Sequence, residues 1–363
     1  MPHQHTNPPT NPPTMSILTD EMLQAAFDFR AAEPWKALTD SDVFALQLTS
    51  GDIAYIVVMG NASEHYALGL YVGALEFRSY LLSLVMNDMK PDDIQEAAMT
   101  FNCVNCDFMA AADMKKADKE RIRAFATAHS LKIPRQHGWP DFTRHTPYHM
   151  QWGITDERDA RNITEALRAA IYMGRLVAGK TPESIGFDPT GSYPDLAGGK
   201  QVPLLVPQAD GSYTVDTTPL PPFTEPEYPH VAFDNDILSS RVAGLPSEGG
   251  LACQLTNVPA PFPDEDEVPS FPAMLFCVTE RSGIVMPFFV DDEEPESSIL
   301  TQLANQFISI GLRPRHITIS TPRTEALLRD FCKRCGIKLV VKKEMPKKWK
   351  EAHMLLMMQM GGL

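Results

Sequence analysis

Hydrophobic positions along the chain alternate between two periods, one suited to strands and one to helices. Ile53 to Val58 is a continuous β-branched and aromatic run, the mark of a buried strand. Gly60, Asn61 and Ser63 form a turn, and a second apolar run, Tyr66 to Val72, follows it. Gly73 then hands the chain to a helical pattern, Ala74 to Leu84. Upstream, Ser16 is placed to cap a helix running to about Phe29, and Trp35 to Leu48 reads as a turn and a strand. Downstream, Pro91 opens a short helix, Met99 to Phe108 alternates as a strand, and Lys115 to His129 is an amphipathic helix. His137 to Gly153 reads as an irregular aromatic connection. Thr155 caps the clearest helix, whose Ala160, Ile163, Leu167, Ala170, Ile171 and Gly174 recur at three- and four-residue spacing until Gly179 stops it.

From Lys180 to Pro272 prolines become frequent and acids cluster at Asp264 to Glu267. A hairpin is expected around Asp210-Gly211, between Val202 to Val206 and Tyr213 to Val215, with a strand near Leu251 to Leu255. Met274 to Val278 and Ile284 to Val290 predict a second hairpin around Arg281-Ser282-Gly283. Pro295 opens a helix ended by Gly311, His316 to Ser320 is a strand, and Pro322 to Cys335 is a helix ended by Gly336. Ile337 to Val341 and Met345 to Met360 complete the pattern as strand and helix. The pattern gives a two-domain α+β chain. Residues 1–14 are expected to be a disordered tail, 15–180 an N-terminal α+β domain, 181–249 a proline-rich linker and hairpin region, and 250–363 a C-terminal α/β domain.

Composition narrows the classes of function. A chain of 363 residues with 44% apolar and 21% charged residues is long enough for two cores and ordinary for a globular protein. No apolar run reaches the length of a membrane span and no secretory signal is visible, so a cytoplasmic location without membrane attachment is expected. The Thr-Asn-Pro-Pro repeat of the tail has nothing to bury, and Met15 is a second candidate start. Six cysteines in so long a chain do not make a disulfide framework. A formal charge of −14 opposes nucleic acid and anionic membranes as partners, which leaves an unidentified protein or small molecule.

Several short patterns imitate chemical motifs. Gly174 to Thr181 matches a phosphate-binding loop letter for letter, but a helix precedes it where a strand is required, so it reads as a helix end and no nucleotide cofactor follows. Cys332-x2-Cys335 resembles half a zinc site, with Cys103-x2-Cys106 as the other half. Cys332 and Cys335 share an apolar helix face with Leu328 and Phe331, and a spacing of three in a strand sends Cys103 and Cys106 to opposite faces; no metal is expected. His137, His145, His149 and Asp141 are of metal-ligand type, yet Pro140 and Pro147 keep them off one helix. With Trp139 and Trp152 they form either a packed connection or the aromatic wall of a ligand pocket. Asn61, Glu64 and His65 form a polar elbow that is either a base with its orienter or a turn with turn residues. Candidate ligand-binding residues are therefore Asn61, Glu64, His65, His137, Trp139 and Trp152. Catalytic residues are not identified.

PWKALTDSDVFALQ (34–47), VMGNASEHYALGLYVG (58–73) and the Trp139-Pro140 region together resemble a bacterial domain of unknown function. LFCVTERSGIVMPFFV (275–290) and GLRPRHITISTPRTEALLRDFCKRCGIKLVV (311–341) resemble a second such domain that commonly follows the first. The C-terminal order of elements also resembles the ribonuclease H-like fold, a mixed sheet with flanking helices. Two-metal phosphoryl transfer on that fold needs carboxylates on the first strand and after the fourth. Leu251 to Asn257 has none, Ser320-Thr321 follow the fourth, and Glu280 is the acid expected nearest the site. The resemblance brings no activity with it; the leading expectation is a non-enzymatic binding or adaptor protein, and the alternative is a hydrolase or other small-molecule enzyme with its site in the N-terminal domain near His65 or His137 to Trp152.

Overall fold

The computed structural model describes residues 16–63, 65–86, 89, 94, 97–187, 199–224, 226–258, 260–261, 268–290 and 297–361. The tail, Glu64, most of the short helix expected after Pro91, the acids at 264–267 and Pro295 lie outside them. The chain is α+β and divides after Thr224, Val268 apart, into two compact units.

The first unit is an eight-stranded sheet: β1 (Phe44–Gln47), β2 (Ile53–Met59), β3 (Ala67–Val72), β4 (Cys103–Met109), β5 (Trp139–His145), β6 (Trp152–Gly153), β7 (Gln201–Pro207) and β8 (Tyr213–Pro219), in the order β6-β5-β4-β3-β2-β1-β7-β8. Neighbours are antiparallel except β1 and β7, which pair in parallel. The hairpin of 201–219 is thus the far edge of this sheet.

Alternation decides what each face meets. Ile56, Val58, Leu68, Leu70, Val104, Cys106 and Phe108 point to a core shared with α1 (Asp20–Ala32), α3 (Lys116–Ala128) and α4 (Glu157–Val177). Tyr55, Val57, Tyr71 and Cys103 point the other way and pack with Phe77, Tyr80 and Leu81 of α2 (Gly73–Val85). Cys103 and Cys106 are divided between the two faces, as a spacing of three in a strand requires.

Three local readings are corrected. The α1 cap is Thr19 rather than Ser16, and its Oγ1 accepts from Met22 N at 3.1 Å. Trp139 to His145, expected to be irregular, is a seven-residue strand, because Pro140 sits where β5 lacks an outer partner and no backbone donor is missed. The α4 cap is Asp156, whose side chain accepts from Arg158 N, one residue later than expected. At the other end of α4, Gly174 is helical and packs against Pro34, and Gly179 adopts φ +78°, so the loop-like motif there is a helix end.

The second unit is a five-stranded sheet of β9 (Gly250–Asn257), β10 (Ala273–Thr279), β11 (Val285–Phe289), β12 (His316–Ile319) and β13 (Lys338–Val341), ordered β11-β10-β9-β12-β13. The hairpin strands are antiparallel to their neighbours; β9, β12 and β13 run parallel. One face packs on α5 (Asp236–Ala243), α6 (Ser298–Ile310) and α7 (Pro322–Arg334). The other is covered by α8 (Lys347–Gly361), which inserts Trp349 against Met274, Phe276 and Val278. Trp349 is buried, and its indole N–H donates to the Phe276 carbonyl at 3.0 Å. Replacing Trp349 by Ala removes both the ring and that bond. The expected loss is about 3–5 kcal/mol of stability in chemical denaturation; a midpoint indistinguishable from wild type would show that α8 does not hold the sheet.

Candidate functional site

The polar positions of β4 and β5 come together because the two strands pair without interruption from Cys103↔His145 to Met109↔Trp139. Residues paired this way point to the same face. Val104, Cys106 and Phe108 go to the helical core, so Cys103, Asn105 and Asp107 face away from it, opposite His145, Thr143 and Asp141. On the adjoining strand Ala67 and Gly69 lie beside Asp107 and Asn105. A side chain at Gly69 would meet the Tyr71 hydroxyl at 3.1 Å, so the glycine leaves room there for that ring. A strip of polar groups therefore runs along β4 and β5, bordered on β3 by the small residues Ala67 and Gly69.

His65, from the elbow before β3, joins this strip. Its Nε2 is 2.8 Å from Asp107 Oδ1, with Asp107 largely buried and the imidazole half exposed. The Asp107 hydrogen bond raises the His65 pKa, burial opposes it and the Asp107 charge adds to it. Burial raises the Asp141 carboxyl, and the neighbouring Asp107 raises it further. His145 is held below its ordinary value by burial, so its ring is neutral near pH 7. Asn105 Nδ2 lies 3.5 Å from His145 Nε2. Asn105 Oδ1 and Thr143 Oγ1, from directly opposed residues, are buried and make no hydrogen bond. Two adjacent orphaned groups are costly, roughly 1–3 kcal/mol each.

The His65–Asp107 contact has the geometry that a base and its orienter would need. Among the described residues no hydroxyl or thiol bonds to His65. Cys103, opposite the neutral His145, has its thiol pushed up to about 12 by burial and stays protonated.

The remaining sequence candidates lie apart. Asn61 is an exposed turn residue. His137 has φ +48° and meets Tyr66 edge-on at 5.7 Å, and its carbonyl accepts from Arg30 Nε at 3.0 Å. Arg30 in turn stacks over Trp35 and Tyr66. Trp139 is buried in the core, with Arg123 5.6 Å from its ring centroid. Trp152 is half-buried beneath Lys115. His149 is exposed and faces the Pro147 carbonyl. The elbow and the aromatic residues thus serve different faces of the sheet, since His65 joins one and Tyr66 the other. Asp107, Asn105 and Thr143 were not singled out by sequence; the alternation in CVNCDFM was the available signal.

In the second unit the carboxyl ends of β9 and β12 carry no acid. Ser320 Oγ donates to Gln254 Oε1, Arg323 Nη1 to Asn257 Oδ1, and Asn257 Nδ2 to the Phe271 carbonyl. Glu280 stands at the opposite end, a correction to the sequence expectation. Its backbone N–H donates to Gly250 O at the start of β9, and its carboxylate accepts from Thr318 Oγ1 at 2.7 Å and pairs with His316 Nε2 at 3.0 Å. Burial works against ionisation, but Thr318, His316 and Lys342 together hold the Glu280 pKa below its ordinary value. Gly250 leaves the space this pair fills, since a Cβ there would strike both side chains.

The His65 shift has a direct reading by NMR. Its imidazole is expected to titrate above its ordinary 6.5, and to fall back in Asp107→Asn. A raised folded pKa gives a stabilising contribution that is whole below the unfolded value and lost as pH rises through the folded one. Asp107→Asn is expected to flatten that dependence; an unchanged titration midpoint in the variant would remove Asp107 as the cause.

No curated protein matches the chain. A chain in the cryo-electron-microscopy structure of the simian T-cell lymphotropic virus intasome in complex with PP2A regulatory subunit B56 gamma is similar at 15% identity, with a TM-score of 0.23, over 33% of this chain and 43% of that one. This chain thus spans less than half of that one, and so low a score carries no argument about fold or function. Residues 20–189 match a domain of unknown function (DUF7309), and residues 242–348 match another (DUF6930). The chain is a tandem of these two domains of unknown function.

Proposed function

We propose that this is a cytoplasmic, non-enzymatic binding or adaptor protein whose first domain holds a small polar molecule on the strip along β4 and β5. The observation that carries the reading is the pair of orphaned groups, Asn105 Oδ1 and Thr143 Oγ1, on opposed residues of one face. A fold keeps such a cost where a ligand supplies the missing partners. The neutral His145 and the hydrogen-bonded His65–Asp107 pair add further polar groups beside them.

The strip can be tested without knowing the ligand. Thr143→Val keeps the shape and removes the unpaired hydroxyl, so its thermal midpoint is expected to equal or exceed that of wild type. Polar small molecules that raise the wild-type midpoint are expected to lose their effect on the variant. Hits that stabilise both proteins equally, or a screen with no hits, would overturn the assignment. An enzyme acting through His65 is the second reading, favoured by its bond to Asp107. It requires turnover that Asp107→Asn diminishes.

For the second domain, the order of hairpin and parallel strands supports a ribonuclease H-like reading, and the residues at the carboxyl ends of β9 and β12 support one without nuclease chemistry. Gln254, Asn257, Ser320 and Arg323 bring no negative charge to hold two divalent cations. Purified protein is expected to leave DNA and RNA intact with magnesium or manganese; cleavage abolished by Gln254→Ala or Ser320→Ala would reverse this.

A further inference from the structure

The core of the second unit contains two thiols whose placement suits a reaction that no other feature uses. Cys253 on β9 and Cys277 on β10 are directly opposed and fully buried, with their Sγ atoms 3.1 Å apart. The ladder around them fixes the kind of pair they make. Glu280 N–H donates to Gly250 O and Val258 N–H to Pro272 O, so 250/280 and 258/272 are hydrogen-bonded pairs. Hydrogen-bonded and non-hydrogen-bonded pairs alternate along an antiparallel ladder. Counting by twos from either end leaves Cys253 and Cys277 as a non-hydrogen-bonded pair. There the Cα atoms stand about 4.5 Å apart and the side chains approach most closely. That separation lies within the span of about 4.4–6.8 Å that a disulfide bridges.

We propose that Cys253 and Cys277 are an oxidative modification site: a reversible cross-strand disulfide formed at the expense of a small-molecule disulfide such as glutathione disulfide. The thiolate of one cysteine attacks a sulfur of the oxidant, giving a mixed disulfide and one glutathione. The second thiolate attacks the protein sulfur of that mixed disulfide and releases the other glutathione. The two protons leave with the two glutathione thiols; the protein loses two electrons and the oxidant gains them. Burial holds the Cys253 thiol well above its ordinary range, so the first attack waits for β10 to part from β9. On its other side β10 is flanked only by the edge strand β11, whose Val285 and Phe289 are exposed. Bond formation is therefore slow in the native protein and fast during refolding.

Full-length reduced, denatured protein refolded in a glutathione–glutathione disulfide buffer provides the test. After alkylation of free thiols, a non-reducing peptide map is expected to contain one cross-link, Cys253 to Cys277, with the other four cysteines alkylated. Intact mass should fall by two hydrogens, and the denaturation midpoint of the oxidised protein should exceed that of the same protein after reduction. Cys277→Ala is expected to yield no cross-link. Complete alkylation of both cysteines in excess glutathione disulfide, or a cross-link from Cys253 to Cys332 instead, would overturn the proposal. The wild-type map decides the matter even where the variant fails to fold.

Discussion

The ladder between β4 and β5 is the constraint on which the first unit depends. Seven consecutive pairs hold it in register, and register assigns every side chain of both strands to a face. Val104, Cys106, Phe108 and Phe142 can close the helical core only if Asn105, Asp107, Asp141 and Thr143 are turned away from it. The polar strip is thus the necessary reverse of a well-packed face. What packing does not demand is two opposed groups without partners, and the proposal of a binding surface rests on that cost.

In the second unit the polar side chains at the ends of β9 and β12 are paired. Gln254, Asn257, Ser320, Arg323 and Thr324 bond to one another or to nearby backbone at the carboxyl ends of β9 and β12. Glu280 is satisfied by Thr318 and His316 at the other end, in space that Gly250 leaves open. Satisfied networks of this kind rigidify a fold and leave little to offer a ligand. Within one chain, one sheet keeps hydrogen-bonding capacity in reserve and the other spends it internally.

Much of this architecture was legible in the residues. The β-branched run at Ile53 to Val58, the three- and four-residue spacing from Ala160 to Gly174, and the C-terminal succession of hairpin, helices and strands follow from local period and turn chemistry. The strand at Trp139 was not, because a proline and four aromatic or charged neighbours masked its alternation. The site was less legible still. His65 and Asp107 are far apart in sequence, and Asn105 meets Thr143 only through a register that no local signal announces. The elbow drew notice for its density of polar residues, yet only its histidine is brought to the strip, and Glu64 lies outside the described residues.

The parallel pairing of β1 with β7 has a consequence for where the first domain ends. The family match stops at residue 189, but the hairpin at 201–219 is what covers the outer side of β1. A fragment cut at the family boundary would bare the hydrogen-bonding groups of a short apolar strand, FALQ, and bare edges of that kind recruit other chains. The stretch matched by sequence is thus shorter than the sheet it belongs to, and the hairpin beyond the match serves as the sheet's selvedge.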